Sequence, residues 1–373
     1  MDLKFDKSNW KKVVLDDVVT KIEENDRENA HKRFDRFLKV EHMDAESLHI
    51  KRWASQEQGD EINPTFFKIF RKGQMLFPTR NPHLRRTVLA SFDGICGEKT
   101  LTLQPNEEFI LPEFIPFLFH SEGFYAHTTS SIIGSTNPHC RWRDVASYEF
   151  LIPRKEQQAE IAELLWAMEE VIESEVKLLN SLDIYRKSFF SDLINSSTGR
   201  VSPLSELLIP KKSKSKPPHE NEKYIGLEHV ISGEYECTEF GSSGKALTQC
   251  NLVESGDLCY SKLRPYLDKA FIASFDAVST TELLIYDTKD VTKKYVLFHL
   301  HSDEFVHFVS GKGFGTKMPR VSHKIIGEYE IKVPTNEHEI LDKMETVMGA
   351  YKSAKAKLIR SKTLQKSLIN QVF

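Results

Sequence analysis

Apolar residues recur at alternating four- and three-residue steps in two long stretches of the chain. The first stripe runs Ile161, Leu165, Met168, Ile172, Glu175, Leu179, Leu182, Arg186, Phe189 and Leu193. The second runs Ile340, Met344, Val347, Tyr351, Ala354, Leu358, Ser361, Gln365, Leu368 and Val372. This spacing keeps an apolar seam on one helix face and predicts a coiled coil. The two registers coincide at one constant offset, so the simplest partner for each seam is the other. Outside the stripes the pattern shortens. Residues 37–40, 74–77, 88–92 and 148–152 have strand character, as do 258–260, 270–272 and 329–333, each bounded by turn-forming residues.

Charge selects the orientation of the helices. The first is acidic early, with Glu160, Glu163, Glu169, Glu170, Glu173 and Glu175. The second is acidic early (Glu339, Asp342, Glu345) and basic late (Lys352, Lys355, Lys357, Arg360, Lys362, Lys366). Parallel pairing would set acid beside acid, whereas antiparallel pairing sets acid against base. An antiparallel pair is therefore expected, with Glu175 near Arg360 and Arg186 near Glu345. Thirty-odd residues at 1.5 Å each give a rod of roughly 50 Å, long enough to act as a spacer.

The chain is also an internal duplication. Gly73, Pro82, Leu84 and Leu101 match Gly256, Pro265, Leu267 and Leu284, and Ala90-Ser91-Phe92-Asp93 matches Ala273-Ser274-Phe275-Asp276. His120-Ser121, Gly134, Pro138, Tyr148-Glu149 and Pro153 match His301-Ser302, Gly315, Pro319, Tyr329-Glu330 and Pro334 in the same order. Upstream, Val40-Glu41-His42 answers Leu227-Glu228-His229. Matches in order over this length mark a repeat. The expected fold is α+β: two similar mixed α/β modules (1–153 and 199–335) separated by two long helices (154–198 and 336–373) that form an antiparallel coiled coil.

Several stretches resemble a known family. Tyr224-Ile225-Gly226-Leu227-Glu228-His229-Val230 is similar to the opening strand of a target recognition domain. The run from Gly256 through Ser261-Lys262-Leu263-Arg264-Pro265 to Lys269 resembles its central strand and loop, and Thr280-Thr281-Glu282-Leu283 its next strand. Gly315-Thr316-Lys317-Met318-Pro319-Arg320 followed by Val333-Pro334 resembles the module's end. The family is that of the specificity subunits of type I restriction-modification systems. The resemblance implies a non-catalytic subunit that reads a bipartite, asymmetric site in double-stranded DNA. Two methylation subunits carrying S-adenosylmethionine would bind it to modify adenine, and restriction subunits would add ATP- and Mg-dependent cleavage. Such a subunit works in the cytoplasm of a bacterium or archaeon. The first half departs from the pattern: Pro78-Thr79-Arg80-Asn81 stands against Ser261-Lys262-Leu263-Arg264, and Gly97-Glu98 against Thr280-Thr281.

Candidate DNA contacts recur in both halves. Arg80, Asn81, His83, Arg85 and Arg86 share one loop, with Lys262, Arg264, Tyr266 and Lys269 as counterparts. A second basic group, Arg141 and Arg143, corresponds in place to Arg320 and Lys324. Gly134 and Gly315 bring Ser135, Thr136, Thr316 and Lys317 toward a groove. Arginine suits guanine, asparagine adenine, and lysine phosphate. The basic segment 211–218 fits either a solvated loop or a phosphate contact.

Composition narrows the alternatives. The chain has 373 residues, 40% of them hydrophobic, and a formal net charge of −3, so DNA binding requires local rather than global basicity. No apolar run approaches a membrane span, and the charged start of the chain is unlike a signal peptide. The five cysteines never form C-x-x-C, which argues against a disulfide framework or four-ligand zinc site; no metal is expected. Lys216-Pro217-Pro218-His219 lacks the polar residue and the aromatic of an adenine methyltransferase loop. Gly311-Lys312-Gly313-Phe314-Gly315 lacks the setting of a nucleotide-binding motif and is expected to be a flexible loop. Two rival readings are a coiled-coil protein-interaction scaffold, motivated by the near-neutral charge, and the recognition module of a stand-alone methyltransferase.

Overall fold

The computed structural model describes residues 5–315 and 317–373, and these form two compact units. One is the chain up to Lys177 together with Ala356–Phe373; the other is Leu178–Lys355. Each unit therefore contains one globular segment and a stretch of both long helices.

The first unit has two four-stranded sheets. Met75–Pro78 lies inside one of them, between Thr100–Pro105 and Val88–Leu89. All four of its residues are buried because both faces of the strand are covered. Met75 and Phe77 point into an aromatic core with Phe114, Phe117 and Phe124, while Leu76 packs with Leu38, Phe70 and Val88 on the opposite face. That is why the strand reads as a continuous apolar run rather than an alternation.

The second unit repeats the design with two five-stranded sheets. Leu258–Ser261 is the counterpart strand, placing Leu258 and Tyr260 in one core and Cys259 in the other. A parallel pairing also recurs, Arg36–Leu38 with Gly94–Cys96 and Lys223–Ile225 with Ala277–Ser279. Lys11–Val14 pairs with Glu149–Ile152 as Gly199–Pro203 pairs with Glu330–Pro334. At Gly199 an added Cβ would lie 2.1 Å from Val333 O, so only glycine permits this pairing.

The helices Lys155–Ser196 and Glu337–Val372 are 42 and 36 residues long, free of proline. Within each unit they run antiparallel. Gln365 donates to Glu169 at 2.7 Å in the first unit, and Arg186 lies 3.9 Å from Met348 Sδ in the second. Ile161, Leu165, Ile172, Leu358, Leu368 and Val372 are buried in the first unit, and Ile340, Met344 and Tyr351 in the second. Met168, Leu179, Leu182, Phe189, Leu193 and Val347 are only half-buried. Phe190, Met348 and Ile369, each one residue off the seam, are buried in the module cores instead. Each helix thus serves a wider apolar face than a two-helix seam requires.

Two expected seam contacts are corrected. Glu175 lies 3.3 Å from Lys357 Nζ rather than beside Arg360, and Glu345 pairs with Lys294 rather than Arg186. Lys357 lies one helical turn before Arg360, and Met348, which Arg186 meets, lies one turn after Glu345, so the antiparallel sense and the approximate register hold while the individual partners differ. Glu175 is buried and neither carboxylate oxygen has a hydrogen-bond partner among the described residues. Replacing it with leucine removes an under-solvated charge, so Glu175→Leu is expected to raise stability by about 1 kcal/mol in chemical denaturation. A loss of that size would instead give the Lys357 pair the larger role.

Candidate nucleic-acid interface

Each module presents two loops sewn together by backbone hydrogen bonds. In the first, Asn81 N donates to Pro138 O at 2.9 Å and Cys140 N to Thr79 O at 3.0 Å. In the second, Arg264 N donates to Pro319 O at 2.7 Å and Val321 N to Lys262 O at 2.9 Å. Within the second loop of each module, Ile133 pairs with His139 as Phe314 pairs with Arg320. Gly134 (φ 84°) and Gly315 (φ 97°) make the reversals between those partners.

The first loop of each module is a single helical turn, Pro82–Leu84 or Pro265–Leu267, closed at both ends by left-handed residues. These are Asn81 (φ 51°) and Arg85 (52°) in one module, and Arg264 (51°) and Asp268 (48°) in the other. A non-glycine residue held left-handed costs roughly 1–2 kcal/mol. Asparagine and aspartate tolerate this region, but arginine does so rarely, so Arg85 and Arg264 mark a shape imposed by the surrounding fold.

The structure separates the candidate contacts into two groups. Arg80, His83, Ser135 and Thr136 are exposed in the first module, as are Arg264, Tyr266 and Lys317 in the second. Asn81 and Lys262 are half-buried beside them. Arg80, Arg264 and Lys317 form no ion pair among the described residues. Thr316 lies outside the described residues.

The other candidates bind the protein itself. Arg86 Nη1 donates to Val40 O at 3.1 Å, and Lys269 Nζ to Leu227 O at 2.6 Å. Those carbonyls open equivalent single-turn helices, so this cation is a repeated structural tie. Burial lowers the Lys269 pKa below the usual lysine range. Arg85 forks onto Glu122 at 2.5 Å and reaches Glu46 at 3.0 Å. Arg320 lies 3.2 Å from Glu282, and Arg141 lies 2.9 Å from Asp144. Arg143 is exposed and approaches the same carboxylate at 3.5 Å. The expected match of Arg141 to Arg320 is also corrected: the backbone pairs make His139 the counterpart of Arg320.

Other basic features are likewise engaged. Lys211 pairs with Glu254 and Asp257, and Lys214 reaches Asn251 from a short strand. Gly311 and Lys312 end a helix, Asp303–Lys312, rather than belonging to a flexible loop. All five cysteines are buried and free. His49, Glu169 and Glu173 approach one another closely enough to suit a cation. However, Lys51 Nζ lies 3.0 Å from Glu173, and His49 and Gln365 already satisfy Glu169. Phe314 and Met318, in the same loop as Lys317, are exposed apolar residues that no periodic signal in the sequence marks.

The chain thus repeats one α/β module, each copy with an exposed, partly basic double loop and a stretch of two antiparallel helices. Residues 7–183 match the family model described as the type I restriction modification DNA specificity domain. The type I restriction enzyme EcoDI specificity subunit of Escherichia coli is 26% identical over 126 residues, covering 32% of this chain. That stretch is 28% of the relative's length. The S subunit structure of a type I restriction-modification system from M. genitalium aligns over 100% of this chain and 98% of its own, with a TM-score of 0.53 and 14% identity. A structure titled for complex assembly and conformational transition of the type I R-M system aligns over 98% of this chain and 97% of its own, with a TM-score of 0.54 and 16% identity. At these identities the structural likeness speaks for fold alone. Residues 7–183 thus carry the matched specificity domain, and the whole chain shares the fold of these structures.

Proposed function

We propose that the chain reads a bipartite, asymmetric sequence in double-stranded DNA and serves as a non-catalytic address for partner subunits. The observation carrying this reading is the double loop, built with the same backbone pairs in both modules yet bearing different side chains. Arg80, Asn81 and His83 in the first module correspond to Leu263, Arg264 and Tyr266 in the second. One scaffold with two side-chain sets suits two different half-sites. Two methylation subunits would bring S-adenosylmethionine and act on adenine. Restriction subunits, with ATP and Mg, would be further partners.

Arg264→Ala tests the reading. An exposed arginine with no ion-pair partner among the described residues, on a left-handed backbone, is suited to bidentate contact with guanine. The substitution is expected to weaken binding by about 1–3 kcal/mol and relax specificity in one half-site only. The measurement is selection from a library of duplexes by the full chain with methylation subunits, and by its variant. Equal loss on all sequences would reassign Arg264 to phosphate. Unchanged selection, with no salt-dependent DNA binding by either protein, would favour a protein-interaction scaffold.

A further inference from the structure

In the first unit the recognition turn is tied to the final helix through an alternating set of charges. Arg85, whose left-handed backbone closes the turn, places both Nη atoms 2.5 Å from the Glu122 carboxylate and stacks 5.1 Å over Tyr125. Glu46 receives Arg85 at 3.0 Å, and its own N–H donates to Arg85 O at 2.8 Å. Lys366 of the final helix completes the set, 2.8 Å from Glu122 and 3.1 Å from Glu46. The two cations hold the Glu122 pKa down to about 2. Two positive and two negative groups thus balance, and one Asn370 side chain also accepts the Glu122 N–H at 2.8 Å.

The second unit repeats the lysine-to-short-helix pair, but there the recognition turn itself is reached through Arg186 and the backbone of Gly233. Lys187, at the position in its helix that Lys366 holds in the other, lies 2.6 Å from Asp303. Asp303 is the counterpart of Glu122 in the repeat. Beside it, Arg186 donates to Gly233 O at 3.2 Å, and Gly233 N donates to Asp268 O at 2.8 Å. Gly233 (φ 73°) is the counterpart of Glu46 (φ 54°). In both units, then, a lysine from a long helix reaches the acidic first turn of a short helix beside the recognition turn.

We infer that Lys366 and Lys187 are positioning residues for sequence readout: each holds the neighbouring recognition turn at the angle from which its exposed side chains meet DNA. The inference rests on the reading of those turns as DNA contacts. It makes residues in the helices, which touch no base themselves, determinants of specificity in one half-site each. A clamp of this kind transmits through a chain of paired groups, for which changes of about three- to tenfold are ordinary.

The test compares full chains assembled with their methylation subunits in selection from duplexes randomised in both half-sites. Arg80→Ala with Asn81→Ala marks the half-site of the first module, and Arg264→Ala that of the second. Lys366→Met is expected to relax preference about three- to tenfold in the first of these alone, and Lys187→Met in the second alone. Lys366→Arg should restore selectivity, because a longer cation still reaches both carboxylates. Thermal melting of each variant separates this from a general loss of folded protein, which would weaken both half-sites together. If the loop variants alter selection but Lys366→Met and Lys187→Met do not, the inference fails while the proposed function stands. If the loop variants alter nothing, the proposed function itself fails.

Discussion

Replacing Arg186 with alanine is expected to destabilise the second unit by about 3 kcal/mol, the low end of what breaking a buried pair costs. The guanidinium is only 2% exposed. It pairs with Asp183 at 2.5 Å, donates to Gly233 O at 3.2 Å, and lies between the rings of Tyr235 (4.8 Å) and Tyr351 (4.5 Å). Truncation would leave Gly233 O unpaired and open a gap between two aromatic faces, each of which attracts the cation. Asp183 is half-exposed and finds water, which keeps the loss from being larger. Arg186→Gln should cost roughly half as much, because an amide still donates. Glutamine also occupies the equivalent position of the other helix, at Gln365. Chemical denaturation of the full chain, followed by the second unit's tyrosines, gives both values. A cost below about 1 kcal/mol for alanine would show that the cation is tolerated in the seam rather than supporting it.

Acid should weaken the same unit through His299. Its ring is buried against Phe190 and Tyr295, both 4.9 Å away, and Nε2 has no hydrogen-bond partner among the described residues. Burial pushes its pKa down from 6.5 to about 3. The folded chain therefore keeps this histidine neutral while the unfolded chain takes up a proton as pH falls through 6.5. Stability is unaffected by this group above that pH, declines as pH falls from about 6.5 toward 3, and levels off below. At about 1.4 kcal/mol per pH unit, the loss by pH 4.5 is roughly 2–3 kcal/mol. The counterpart residue in the first module is Leu118, so His299→Leu should fit the site. It is expected to change stability little at pH 7.5 and to flatten the decline between pH 6.5 and 4.5. Equal acid slopes in the two proteins would mean that His299 is protonated in the folded state or titrates alike in both states.

Much of this molecule was legible in the sequence because its signals are local or periodic. The stripes beginning at Ile161 and Ile340 needed only the helical repeat, and their charge distribution fixed the antiparallel sense. The duplication, anchored on Ala90–Asp93 and Ala273–Asp276, carried the equivalence of the two modules. Left-handed backbone at Arg85 and Arg264 had no such signal, because arginine has no preference for that region.

The sequence by itself determined the helices, their mutual sense, the repeat and the pair of loops bearing basic residues. Only the tertiary structure decided which of those residues remain available. Among the described residues Arg80 and Arg264 have no ion-pair partner, whereas Arg85, Arg86, Arg141, Lys269 and Arg320 are engaged by protein groups. The stagger that sets Glu175 beside Lys357 was decided at the same level. The physical reason is the same throughout. A charge reads alike in sequence whether its partner is water, a phosphate or a carboxylate, and partners such as Glu122 for Lys366 are brought close only by folding.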